Sequence, residues 1–315
     1  MNGRALAAAC AVAGVLVIAG CAPGAAPTPT PATAPATAPS ATRPAPSSPP
    51  AAVASAIQHI VVIVDENKPA GSVIGDPRAP YLTSLAQAGA LATRYSAITH
   101  PSLPNYLALT SGTTAGITTD CNPPGGSCLV TGPNLAEELD RAGRSWRMYA
   151  ESMPAPCTTA NTSLYAVKHN PFLYFPSVTD SASSCAAHDV PYSRFADDLA
   201  SALPAFSFIS PNLCDDMHDC SVAAGDAWLK ANVPPILASP AFTTQRSLLV
   251  VTFDEGDSSD NVVACVFAGP AARAHTVVAT PFTHYSLLRT IEQVWGLASM
   301  TAADDGAVAM TGMLQ

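Results

Sequence analysis

The run HIVVIV, residues 59–64, ends in Asp65, Glu66 and Asn67, and SLLVVTF, residues 247–253, ends in Asp254 and Glu255. Both runs are short, apolar and β-branched, the pattern of buried strands. Such runs belong to parallel strands of an open α/β sheet, where side chains leaving the carboxyl ends project into a crevice instead of the packed core. Two acidic strand ends therefore predict one shared site.

HPSLPNY, residues 100–106, adds a nucleophile. Pro101 and Pro104 stiffen the backbone around Ser102, and YLALTSG after them reads as the first turns of a helix. A serine there points its hydroxyl at the site, near helix N-terminal amides that favour an anion. A free hydroxyl is a weak nucleophile at neutral pH, and a divalent cation corrects this by stabilising the alkoxide while neutralising a phosphoryl oxygen. Glu66, Asn67, Asp254 and Glu255 supply hard oxygen donors for such an ion, a set that favours Ca, Mg or Mn over Zn. Taken singly, each acid is ordinarily a turn former and Ser102 a helix cap. The joint pattern suits phosphoester hydrolysis.

IVVIVDENKP, THPSLPNYLALTSGTT, KHNPFLYF, SPNLCDDMHDCSV, GDAWL, VVTFDEGD and THYSLLRTIEQVWGL occur in that order. Together they resemble the bacterial phosphoesterase family that contains secreted acid phosphatases and phospholipases C, with the acid phosphatase branch the nearest likeness. That family is similar in fold to the alkaline phosphatase superfamily. The resemblance implies a single α/β domain, a doubly wound, mainly parallel sheet with helices on both faces. It also implies metal ligation by Glu66, Asn67, Asp254 and Glu255, and a nucleophilic Ser102 in a hydroxyl-x-Pro-Asn setting that includes Asn105. Thr99 is the competing hydroxyl. Lys168 is a candidate phosphate clamp beside His169, although a lysine before an Asn-Pro turn is ordinarily solvated. The resemblance places Asp216 and His218 along the site. The residues of CDDMHDC alone fit either a second metal site, for zinc or iron, or a disulfide-closed loop whose acids face water. His284 stands before an amphipathic helix whose Leu287, Leu288, Ile291 and Val294 recur at helical spacing. Matching superfamily positions contact metal or phosphate, whereas His59, His188 and His275 have no motif around them.

The chain has 315 residues, of which residues 1–20 read as a lipoprotein-type signal peptide: Arg4, an apolar stretch too short for a comfortable membrane span, then IAGC. The IAGC ending resembles a lipobox, which implies a lipid anchor at Cys21 and an extracytoplasmic, membrane-attached protein. An ordinary signal peptide cut nearby is the alternative. Residues 22–55 hold ten of the 30 prolines and one charge, Arg43, so 21–55 reads as a disordered linker. The phosphoesterase domain occupies 56–315.

Nearness in sequence pairs Cys121 with Cys128, Cys157 with Cys185 and Cys214 with Cys220, leaving Cys265 as a buried strand thiol in VVACVFAG. Net charge is -9 with only 14 Lys and Arg, which disfavours nucleic acid as a partner. An acidic protein still hydrolyses anionic esters when a metal dominates the local field. The expected partner is a phosphate ester, the expected state a monomer. A phosphatase working through a phosphoserine is the leading reading, a phospholipase C-type phosphodiesterase the second, and a non-catalytic binding lipoprotein the third.

Overall fold

The computed structural model describes residues 57–315, so the leader, linker and Cys21 anchor expected from sequence lie outside the described residues. The chain forms a nine-stranded sheet: β1 (His59–Asp65), β2 (Ala90–Ser96), β3 (Trp146–Ala150), β4 (Asp189–Pro191), β5 (Phe206–Ser210), β6 (Ser247–Phe253), β7 (Val262–Ala268), β8 (Thr276–Val278) and β9 (Phe282–Thr283). The order is β4-β3-β5-β1-β6-β7-β2-β8, with β9 beside β2. Every pairing is parallel except those of β7, which runs antiparallel to β6 and β2.

The two apolar runs that end in acids are neighbours at the centre of this sheet. β1 and β6 pair in register from His59 opposite Ser247 to Asp65 opposite Phe253. Every residue of β6, and every residue of β1 after His59, is buried, as expected where helices cover both faces of parallel strands. The in-register pairing brings Glu66 and Asp254 out of the sheet at the same level.

Four of the ten α-helices among the described residues position the site: α1 (Pro80–Ala88), α2 (Ser102–Ser111), α3 (Val222–Ala238) and α4 (His284–Trp295). α2 starts at Ser102, several residues earlier than its apolar run suggests. Pro104 falls in the first turn, where a missing N–H costs no helical hydrogen bond. All ten α2 residues are buried. It ends at Gly112, in left-handed conformation with φ 69°, where a Cβ would lie 2.6 Å from Asp304 Oδ1. α4 begins at His284 itself, behind a reciprocal cap between Thr283 and Ser286. Cys121–Cys128, Cys157–Cys185 and Cys214–Cys220 are bonded, and Cys265 is a buried free thiol in β7.

Candidate active site

Ser102 stands at the first position of α2 and Tyr106 one turn later on the same face. Both reach the carboxylate that leaves β1: Ser102 Oγ donates to Glu66 Oε2 at 3.2 Å, and the Tyr106 hydroxyl donates to Glu66 Oε1. The Tyr106 ring stacks on His169, with centroids 5.4 Å apart and planes 12° from parallel. His169 Nε2 lies 3.2 Å from Glu66 Oε1, and its Nδ1 lies 3.4 Å from Asp216 Oδ2. Glu66, His169 and Asp216 thus present ligand atoms within 4.8 Å of one another, all from buried residues.

Asp254 completes the floor. Its Oδ1 accepts from the Asn67 amide at 3.2 Å, while its Oδ2, the Asn67 side-chain Oδ1, Asp216 Oδ2 and both oxygens of Asp65 are buried without a hydrogen-bond partner. Unpaired buried acceptors are costly and rare in proteins, so this concentration suits a cation. The electrostatics agree. Burial, then the charges of Asp254 and Asp216, raises Glu66 well above the ordinary carboxylate range, against the pull of Lys168. Burial followed by repulsion from Glu255 pushes Asp254 up to about 8, and burial pushes Asp216 up to about 7. Burial, then Lys168 and His218, lowers His169 well below the usual histidine range and keeps its ring neutral and able to donate a lone pair. The donor set fits a divalent metal ion, with Glu66, Asn67, Asp216, Asp254 and His169 as the residues that would hold it. The imidazole makes this set less purely oxygen-based than the sequence suggested.

Lys168 is not a solvated loop residue. Its Nζ lies 3.3 Å from Ser102 Oγ, 3.2 Å from Asp120 Oδ2 and 3.5 Å from His218 Nε2, whose Nδ1 in turn pairs with Asp219 at 2.7 Å. Burial lowers the Lys168 pKa, but Glu66 and Asp120 outweigh it and leave the ammonium raised and charged.

Three expected site residues are occupied differently. Glu255 is bound by His100 Nδ1 at 2.7 Å and Asn105 Nδ2 at 3.4 Å, at the margin of the acidic group. Asn105, expected to contact substrate, clips the preceding loop: Oδ1 accepts from Ile98 and Thr99, and Nδ2 donates to the carbonyls of Thr99 and Pro101. Both ring nitrogens of His284 are engaged, Nε2 with the Asp254 carbonyl at 2.5 Å and Nδ1 with the Tyr95 hydroxyl at 2.9 Å. Burial pushes His284 down to about 4. This neutral ring orients the Asp254 backbone from behind. Thr99, the competing hydroxyl, bonds the His100 carbonyl. The CDDMHDC loop divides: Asp216 is fully buried and faces the site, whereas Asp219 is exposed.

Sequence reasoning passed over Tyr106, Asp120, His100 and Asp65. Tyr106 had a signal, its one-turn spacing from Ser102. Asp120 had only its place beside Cys121.

Residues 76–298 match the Phosphoesterase family. A phosphatidylinositol-3-phosphatase of Mycobacterium tuberculosis is 42% identical over 242 residues, 76% of this chain and 77% of that protein. A phosphate-repressible acid phosphatase of Penicillium chrysogenum is 37% identical over 72% of this chain, which spans 57% of the fungal protein's length. Among solved structures, an alkaline phosphatase superfamily protein of Vibrio parahaemolyticus superposes with a TM-score of 0.57 at 12% identity, covering 79% of this chain and 69% of its own. That last likeness concerns the fold alone. The match over residues 76–298, together with the 42% identical relative, shows that the chain belongs to the Phosphoesterase family and is a hydrolase of phosphoric esters.

Proposed function

We propose that the chain is an exported, metal-dependent acid phosphatase that hydrolyses phosphate monoesters through a phosphoserine at Ser102. The observation that carries this reading is the seat of the Ser102 hydroxyl, within hydrogen-bond reach of both the Glu66 carboxylate and the Lys168 ammonium. A bound divalent cation would offset the crowded negative charge and favour the serine alkoxide. Ser102 Oγ forms the new bond to phosphorus as the bond to the leaving alcohol breaks. In this reading Glu66 Oε2, ionised when the cation is bound, takes the serine proton and returns it to the departing alcohol oxygen, while Lys168 pairs with the phosphoryl oxygens. Water then attacks the phosphoserine, releasing inorganic phosphate and restoring Ser102.

Monoester preference is supported by the names of the relatives: a phosphatidylinositol-3-phosphatase and several acid phosphatases. A phosphoinositide headgroup is accordingly the lipid substrate to try first. Export is supported by the leader-like sequence and by disulfides that suit an oxidising compartment. No helix among the described residues is long and apolar enough to cross a membrane, and attachment through Cys21 is part of the proposal.

The deciding assay sets p-nitrophenyl phosphate and phosphatidylinositol 3-phosphate vesicles beside bis(p-nitrophenyl) phosphate and phosphatidylcholine vesicles. Turnover of the first two and inertness toward the others is expected. Release of phosphocholine would favour the phospholipase C reading instead. Trapping with acid during turnover of ³²P-labelled ester should label wild type and leave Ser102→Ala unlabelled.

A further inference from the structure

Lysine carries a point charge on a flexible four-carbon stem, so its aim has to be imposed by its partners. Lys168 has two competing destinations: the acids Glu66 and Asp254 attract it inward, and Ser102 Oγ lies 3.3 Å from Nζ. The side chain that holds it on the serine side is Asp120. Oδ2 of Asp120 is 3.2 Å from Lys168 Nζ, and Oδ1 accepts from the Leu103 amide at 3.1 Å, in the first turn of the helix that carries Ser102. One carboxylate therefore joins the cation to the nucleophile's own helix.

Asp120 is fixed despite partial exposure. It precedes Cys121, which is bonded to Cys128 and whose carbonyl accepts from the Tyr174 hydroxyl at 2.9 Å. Tyr174 is fully buried and lies in the 3-10 turn Pro171–Tyr174, just past Lys168. A closed circuit results, from Lys168 along the chain to Tyr174, across to Cys121, back one residue to Asp120 and across again to Lys168. With His218 on the remaining side, the three ammonium protons have three acceptors.

We propose that Asp120 is a positioning residue that aims Lys168 at the oxygens on phosphorus as Ser102 attacks. The inference depends on the assignment of Ser102 and Lys168 made above. An ammonium aimed at charge that builds up in the transition state contributes more to kcat than to substrate binding.

Asp120→Asn keeps an acceptor for the Leu103 amide and removes the charge facing Lys168. With p-nitrophenyl phosphate it should lower kcat by ~10-fold with KM changed by less than ~3-fold, and on a Lys168→Met background the same substitution should change kcat by less than ~2-fold. Asp120→Glu, which keeps the charge, should recover part of the rate. Melting temperatures of all variants report folding separately. An equal loss on both backgrounds would show that Asp120 acts other than through Lys168 and would overturn the inference. So would an Asp120→Asn enzyme as fast as wild type, or faster, while Lys168→Met is impaired. Should Lys168→Met itself turn over like wild type, the assignment of Lys168 fails, and the inference with it.

Discussion

Two sets of buried carboxylates in this molecule are treated in opposite ways. Away from the site, Asp226 lies in α3 and caps α1 by accepting from the Tyr81 amide at 3.1 Å and the Leu82 amide at 2.8 Å. Asp198 is satisfied by Arg147, Tyr149 and Arg194, and Asp304 by the amides of Met300 and Thr301. At the carboxyl ends of β1 and β6 and in the loop after β5 bare oxygens gather, since Asp65, Asp254 and Asp216 keep buried oxygens without partners. Asp189 and Glu292, also away from the site, each keep one bare buried oxygen, so what sets the sheet edge apart is the concentration of such oxygens in one place and not their occurrence. Their concentration suits a cation.

Four substitutions sharpen or break that contrast. The largest effect belongs to Ser102→Ala, which should cut turnover by at least ~10³-fold while leaving the denaturation midpoint near that of wild type. Near-normal activity would transfer the nucleophile's role to Thr99. Next is Asp226→Ala. It removes the acceptor for two helix N-terminal amides and should cost about 2 kcal/mol in urea denaturation with kcat little changed. A neutral result would mean that satisfied acids matter no more than bare ones, and the contrast would collapse.

Asp254→Asn tests the other side of the comparison. In chelator-treated protein it should stabilise the fold by about 1 kcal/mol above about pH 8, because burial and the nearby Glu255 charge make the ionised Asp254 carboxylate unfavourable in the fold, even as activity is lost. Destabilisation of the metal-free protein would show that Asp254 is structural.

The smallest effect is a pH dependence at Glu292, where burial and then the hydrogen bond with Asp304 raise the carboxyl from 4.5 to about 8. A raised folded pKa means that the native state binds the proton more tightly. This contribution is complete below about pH 4.5 and is lost as pH rises through about 8. Glu292→Gln should therefore flatten the decline of thermal stability across that window, and an unchanged slope would rule the group out.

Those residues also divide by how well the sequence announced them. β1 and β6 were legible because a β-branched apolar run ending in acids carries its own boundary, and the helix start near Ser102 because prolines bracket it. The direction of β7 was not, since VVACVFA has the same apolar run whichever way it pairs. Roles that depend on distant partners were equally hidden: Asp120 meets Lys168 across 48 residues, and nothing near either announces the other. His284 and Asn105 show the converse. Their motif positions suggested a place at the site, and their polar atoms bond the Asp254 carbonyl and the loop before α2, partners no neighbouring residue announces. Composition and spacing reveal which groups are near a site, whereas the partners of each group emerge only from the fold.

The lone antiparallel strand has a consequence for engineering. Because β7 returns beside β6, the acids at the end of β6 lie in the loop of a hairpin, and Asn261 ties that loop by accepting from the Gly256 amide at 2.8 Å and donating to the Thr99 carbonyl at 3.0 Å. Any insertion between residues 256 and 261 would displace the nucleophile's loop together with the acids. A library meant to change which ester is hydrolysed should leave that hairpin untouched.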